Sequence, residues 1–239
     1  QYILHLRALA KSADARREAG EYVCDGEKLL REALQFGAEV TSVLWREAAA
    51  FSLPDGIAQY AADAGLVEYA SPLMHSPGPV FTVRIPAMHL PQPLRRVIVL
   101  EGVQDPGNVG TVIRTANAFG IDAVILTGNC ADLYNPKTVR ATMGAIFRQR
   151  VLCRGVDELM PLLAGNGLAL YGAALSARAA DIRRVDVKNA AVAIGSEGSG
   201  LSAALLALCR GEVIIPMQPD SESLNAGVAA SVVMWEMAR

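Results

Sequence analysis

Four groups of residues combine types and spacing that could do chemistry. The first lies in the run Asp105 to Gly120, where Gly110, Arg114 and Asn117 recur at i, i+4 and i+7 and share one helix face. Asn108 is expected to cap the start of that helix and Gly120 its end. Gly110 leaves room near the helix N-terminus, which suits an anion, and Arg114 can reach into that room. An ordinary solvated arginine fits the same pattern. The second group is Glu197, set among glycines in Gly195-Ser-Glu-Gly-Ser-Gly200. Glycine lets a backbone turn sharply and approach a ligand, and a lone carboxylate there can anchor a helix or orient a substrate hydroxyl. The third group, Ser223 and Asn225, precedes an apolar C-terminal segment that either residue could cap. The fourth is the basic stretch Arg140, Arg148, Arg150 and Arg154. Arginines grip phosphates in bidentate fashion, or they decorate a surface helix.

The spacing rejects an NTPase and disfavours several other chemistries. Gly102 and Gly107 have P-loop spacing, but Asn108 and Val109 follow where Lys and Ser/Thr would be needed. The glycines of 195–200 run G-x-x-G-x-G, the wrong order for a dinucleotide fingerprint. Cys24, Cys130, Cys153 and Cys209 are scattered, and His5, His75 and His89 do not join them, so no metal site is expected. Reduced thiols in a cytoplasmic protein are the simplest reading. Lys plus Arg is 22 and Asp plus Glu is 24, which argues against a general polycation; any contact with nucleic acid must come from local patches.

The elements that must position these residues can be read from apolar periodicity. The 239 residues are 52% hydrophobic and 19% charged, a globular composition with ample core material. No apolar run approaches the roughly 18 residues of a membrane span, and no secretory signal opens the chain. Three prolines in 85–93 predict a stiff connector over 86–93, separating a domain at 1–85 from one at 94–239. The first part alternates helical and strand patterns, with strands at 21–25 and 40–45 and an edge strand at 80–85. The second carries continuous apolar runs at 97–100, 123–126, 168–170, 191–194 and 213–215, as strands buried on both faces do. Helical patterns lie between them near 108–118, 136–146, 156–164 and 201–208, and a last one spans 226–237. This is a parallel, doubly wound α/β pattern, whose ligands sit beyond the carboxyl ends of the strands. The polar segments 101–110, 127–135, 195–200 and 216–225 fall there. The last helix is apolar nearly all round and needs a core or an interface to cover it.

Taken together, these segments resemble the SpoU-type (TrmH-like) RNA ribose 2′-O-methyltransferases of the SPOUT superfamily. Three motifs occur in family order: Asn108-Val-Gly-Thr-Val-Ile-Arg114-Thr-Ala-Asn-Ala-Phe-Gly120, Ile194-Gly-Ser-Glu197-Gly-Ser-Gly-Leu201, and Ile215-Pro-Met217 with Ser223-Leu-Asn225-Ala-Gly-Val-Ala-Ala-Ser. Val139-Arg-Ala-Thr-Met-Gly-Ala145 also looks like the family, with Thr142 where Ser is more usual. The resemblance covers about 97–239. Tyr22-Val-Cys-Asp-Gly26 and its surroundings are similar to the substrate-binding domain of many members, which has a ribosomal-protein-like α/β fold.

The resemblance implies a deep trefoil knot in the C-terminal domain, S-adenosylmethionine as cofactor, no metal, RNA as substrate and a homodimer. Ribosomal RNA is favoured over transfer RNA because a substrate domain is attached. By motif matching, Asn108, Arg114, Glu197, Ser223 and Asn225 are the catalytic residues. Gly195, Ile215 and Leu224, with Thr127 and Met217 nearby, stand at cofactor-binding positions. Arg140, Arg148 and Arg150 are candidates for the RNA backbone, with the pairs Arg16-Arg17 and Arg95-Arg96 behind them. An arginine has a pKa of about 12.5–13.8, so its use as a base at pH 7 costs roughly 7–9 kcal/mol. Gripping a phosphate and orienting the 2′-hydroxyl is the cheaper role for Arg114. The competing reading is a non-catalytic RNA-binding module that keeps the knotted fold; an intact set of five polar site residues argues against it.

Overall fold

The structure, a computed structural model, describes residues 1–87, 93–218 and 223–239. In chain order they form α1 (Tyr2–Lys11), α2 (Ala13–Ala19), β1 (Glu21–Asp25), α3 (Glu27–Gln35), β2 (Val40–Arg46), β3 (Ala58–Ala62), α4 (Ala64–Ala70), β4 (Val80–Arg84) and β5 (Arg96–Glu101). There follow α5 (Pro106–Ala118), β6 (Ala123–Thr127), α6 (Pro136–Ala141), β7 (Val151–Cys153), α7 (Val156–Gly165) and β8 (Ala169–Ala173). The chain ends with β9 (Ala180–Asp181), β10 (Ala190–Ile194), α8 (Ala203–Leu208), β11 (Gly211–Ile214) and α9 (Ala226–Ala238). Most of the predicted connector, residues 88–92, lies outside the described residues.

Two compact units emerge, and their boundary differs from a single cut near residue 90. The first contains Gln1–Ala87 together with Asp132–Arg148; the second holds Met88–Ala131 and Gln149–Arg239. The segment 132–148 joins the first unit because its side chains are spent there. Val139 is buried in the core of Tyr22, Leu30, Val43, Trp45 and Phe81. Tyr134 packs on Tyr22 with ring centroids 4.6 Å apart. Arg16, whose side chain is only 4% exposed, donates to Asp132 at 2.5 Å and to the Leu9 carbonyl at 2.5 Å. Arg16 is therefore a buried structural residue and not a surface contact for RNA.

The first unit is built on a four-stranded sheet in the order β1-β4-β2-β3. β4 runs antiparallel to both β1 and β2, while β2 and β3 are parallel. The strand expected at an edge is thus an interior one. The first four of its five residues, Val80 to Val83, are buried, because helices and core side chains cover both faces. The edge on that side is β3, which sequence periodicity had not predicted and which is mostly exposed.

The second unit is a seven-stranded sheet in the order β7-β6-β5-β10-β8-β11-β9, parallel at every pairing. All five residues of β6 and of β10 are buried, which explains their continuous apolar sequences. From β5 the chain moves out through β6 to β7, then returns to fill the other side. β5 and β10 are neighbours, with Leu100 opposite Ile194. Their carboxyl ends mark the switch point where the connections diverge, the usual place for a ligand in such sheets.

Candidate active site at the switch point

α5 begins at Asp105, not Asn108. Asp105 is the N-cap, its carboxylate accepting from the Asn108 amide nitrogen at 2.8 Å, and Pro106 takes the first helical position. Proline is favoured there because its missing N–H would be unpaired anyway; that signal was present in the sequence. The shift frees the Asn108 side chain for another task. α5 ends as expected, with Gly120 at φ 64° just beyond it. Val109, Val112, Ile113 and Ala116 form its buried face, together with Gly110.

Three of the five polar candidates meet. The Asn108 amide donates to Glu197 Oε1 at 2.8 Å. The Asn225 amide donates to the same oxygen at 2.5 Å and to Asn108 Oδ1 at 3.1 Å. The Ala226 backbone N–H adds a fourth bond, to Glu197 Oε1 at 3.2 Å. Asn225 is the N-cap of α9, its Oδ1 accepting from Gly227 and Val228. One carboxylate thus ties the loop after β10 to the first turns of α5 and α9, where a negative charge complements the α9 helix dipole. Gly227 fits closely: a Cβ there would lie 3.3 Å from Asn108 Oδ1 and 3.2 Å from Asn225 Oδ1, so either amide would have to shift by a few tenths of an ångström to admit a side chain.

The other two candidates are open. Arg114 is exposed on α5 and, among the described residues, has no hydrogen-bond or ion-pair partner. Ser223 is likewise exposed and unpartnered among them, so the capping role falls to Asn225 alone.

The loop carrying Glu197 folds back on itself. The Ser196 carbonyl accepts from the Gly200 N–H at 2.9 Å, and the Ser196 and Ser199 hydroxyls are 2.7 Å apart. Gly195 is packed so tightly against the Gly200 backbone that no Cβ fits. Glu101, at the end of β5, holds the far side by accepting from both the N–H and the hydroxyl of Ser202, each at 2.7 Å.

Cavities lie on both sides of this loop. An open one of about 920 Å³ is lined by Glu101, Gln104, Asp105, Asn129, Glu197 and their neighbours. A second, of about 510 Å³, has apolar walls from Leu175, Ile194, Leu201, Leu206, Ile215 and Leu224. Gly195 and Met217 also line it, so four of the five expected cofactor positions share one pocket. Thr127 lines neither cavity. It is buried at the end of β6 with no hydrogen-bond partner for its hydroxyl among the described residues. Motif matching missed Ala173 to Ser176, Arg178 and Glu212, which also line the second cavity. The first four follow an apolar run that reads as a strand, and the carboxyl-end rule would have found them.

The basic stretch divides between the units. Arg140 is exposed, Arg148 is partly buried, and both belong to the first unit; Arg150 is exposed in the second. Arg148 pairs with Glu32 at 3.1 Å and lies over the Phe36 ring at 4.2 Å, which gives it a structural role. The helix around Arg140 stops at Ala141, five residues before its expected end. Met143 at φ 50° and Gly144 at φ 87° turn the chain there. The Thr142 hydroxyl, buried, donates to the Val139 carbonyl. Among the described residues no cluster of three or more His, Cys, Asp or Glu could hold a metal, and no helix is long and apolar enough to cross a membrane.

The model of the SpoU rRNA methylase family matches residues 95–235. The chain belongs to this family. Among curated proteins, the chain is similar to the 23S rRNA (guanosine(2553)-2′-O)-methyltransferase RlmP of Bacillus subtilis, 31% identical over 228 residues, which are 93% of this chain and 90% of that one. A putative TrmH family tRNA/rRNA methyltransferase of Staphylococcus aureus is 36% identical over 152 residues, 61% of this chain and 59% of its own. Among solved structures, the SpoU methyltransferase AviRb from Streptomyces viridochromogenes, in complex with AdoMet, superposes with a TM-score of 0.89 at 26% identity. It covers 99% of this chain and 96% of its own.

Proposed function

We propose that this SpoU-family chain transfers a methyl group from S-adenosylmethionine to a ribose 2′-oxygen of RNA, with ribosomal RNA the first candidate and transfer RNA the second. The observation that carries this reading is the division of labour at the switch point. Asn108, Glu197 and Asn225 lock two helices and a loop together, and Arg114 and Ser223 are left open for a ligand. The named relatives, one of them a ribosomal RNA 2′-O-methyltransferase, support the choice of substrate.

The second cavity fits the cofactor. Its volume lies in the range of small-molecule pockets, about 300–1,000 Å³. Its walls are apolar, as a nucleoside face requires, and Gly195 brings backbone to its surface without a side chain. Gly195, Ile215, Met217 and Leu224 would hold it. When bound, S-adenosylmethionine supplies a methyl group already activated by its sulfonium, so the protein needs no metal. The protein must orient the oxygen and accommodate its proton. Arg114 grips the RNA phosphate in bidentate fashion and fixes the 2′-hydroxyl, while the phosphate or a water takes the proton. Ser223 hydrogen-bonds near that hydroxyl. Arg140 and Arg150 contact the RNA backbone, and Arg148 holds the segment between them. RNA affinity therefore falls steeply with salt.

Three further features belong to this reading. The insertion of β10 between β5 and β8 is compatible with a trefoil knot formed by the C-terminal segment, preceded by a ribosomal-protein-like substrate domain. The chain works in the cytoplasm as a homodimer. Val228, Val232 and Trp235 are spaced i, i+4 and i+7 on α9 and are 49%, 37% and 58% exposed, an apolar stripe suited to a second copy. A Trp235→Glu variant should sediment as a monomer where the wild type sediments as a dimer; equal masses would remove the interface.

The reaction is tested by incubating labelled S-adenosylmethionine with unmodified ribosomal and transfer RNA, then identifying the nucleosides by mass. A 2′-O-methylated nucleoside is the expected product. Cofactor-free RNA binding without transfer would point to the binding-module alternative.

A further inference from the structure

The second cavity contains charge that the methyl-transfer reading does not use. Glu212 lies on β11, one residue before buried Val213, and its side chain is only 10% exposed. The Ser176 hydroxyl donates to its Oε2 at 2.5 Å and Arg178 Nη2 donates to its Oε1 at 2.8 Å. These two bonds fix the carboxylate in one orientation at the cavity wall. Arg178 lines the same cavity but is 84% exposed, so water screens its charge. A carboxylate shielded from water acts through a medium of lower dielectric and is felt more strongly by a bound ligand. With Glu197 as the remaining charged residue of the lining, the cavity carries an excess of negative charge.

S-adenosylmethionine and its demethylated product, S-adenosylhomocysteine, share adenine, ribose, amine and carboxylate. They differ in one methyl group and one positive charge, that of the sulfonium. Apolar walls and backbone groups cannot separate them by much. We propose that Glu212 makes this cavity select the cationic methyl donor over its neutral thioether product, so that loss of the charge on transfer loosens the product. The inference rests on the cofactor assignment of the preceding section. Glu212 is in this sense a specificity residue, held in place by Ser176 and Arg178.

The test is calorimetric titration of the full chain with S-adenosylmethionine, S-adenosylhomocysteine and sinefungin, an analogue in which a carbon bearing an ammonium group replaces the methylated sulfonium. Glu212→Gln keeps the shape and removes the charge. It should weaken the donor and sinefungin about five- to tenfold and the product less than about twofold. Arg178→Ala removes the countercharge of Glu212 and one of its two holding bonds while the Ser176 hydroxyl keeps the other; it should raise the donor-to-product affinity ratio, more so at low salt. Equal weakening of all three ligands by Glu212→Gln would mean a packing or hydrogen-bonding role and would overturn the proposal. An unchanged ratio in Arg178→Ala overturns it as well, and decides the matter if Glu212→Gln does not fold. If the wild-type chain binds none of the three, the cofactor assignment itself fails, an outcome distinct from binding without discrimination.

Discussion

The first unit turns its polar side chains inward, whereas the second collects them at the carboxyl ends of its strands. In the first, Arg16 and Asp132 pair across 116 residues, Glu32 holds Arg148, and Ser71 and Ser76 both donate to the partly buried Asp25. These groups pair with one another, although Arg16 Nε, Glu32 Oε2 and Arg148 Nε have no hydrogen-bond partner among the described residues. In the second, the sheet interior is apolar and the polar residues lie in the loops after β5 and β10 and at the starts of α5 and α9. There some side chains are paired and others are not. The contrast separates polar residues paired within the fold from those left open, and each half of it can be broken by substitution.

Arg114→Ala should have the largest effect. Removing the guanidinium proposed to hold the RNA phosphate at the methyl-transfer site is expected to slow methyl transfer about 10²–10³-fold, by analogy with loss of one preorganised transition-state donor. The melting temperature should stay within a degree or two, because Arg114 is exposed and unpartnered. Arg114→Lys sharpens the point: full activity in it would remove any bidentate role. In the first unit the signature reverses. Asp132→Ala strands the Arg16 guanidinium in a buried site and should cost about 3 kcal/mol of stability in denaturant melts. A negligible cost would mean that the segment 132–148 is not integral to that unit.

Alkaline pH should also destabilise this unit. Burial pushes the Cys24 thiol and the Tyr22 phenol well above their ordinary ranges, and Tyr2 up to about 12. The unfolded chain loses these protons from about pH 8.5 upward while the folded chain keeps them. Their contribution to stability is therefore full below the unfolded values and is lost as pH rises toward the folded ones. Melts between pH 8 and 10.5 should show a loss of about 4 kcal/mol, the larger part of it from Cys24. Flat stability over that interval would contradict the burial of these groups. The smallest change is expected from Glu197→Gln. It weakens several bonds at an exposed junction, for about 1 kcal/mol.

What could be read in the sequence follows from the same contrast. β5, β6 and β10 announce themselves because burial on both faces demands continuous apolar runs. The three site motifs were legible because glycines, caps and polar residues cluster at strand ends. The membership of 132–148 in the first unit was not legible, since it depends on Tyr22, Glu32 and Arg16, more than 100 residues away. β9, two residues long, has no periodicity to detect. The turn at Met143 uses a positive φ on a residue that gives no warning of it. The position of β4 inside its sheet is a matter of pairing, which a single strand pattern does not encode.

The central claim is that Arg114 acts on the substrate while Glu197 holds the scaffold. It is tested most directly by single-turnover methyl transfer and thermal melting on Arg114→Ala and Glu197→Gln side by side. The expected result is that Arg114→Ala loses most of the transfer rate at unchanged stability, while Glu197→Gln loses stability and a smaller part of the rate. Wild-type rates in a folded Arg114→Ala variant would contradict the claim.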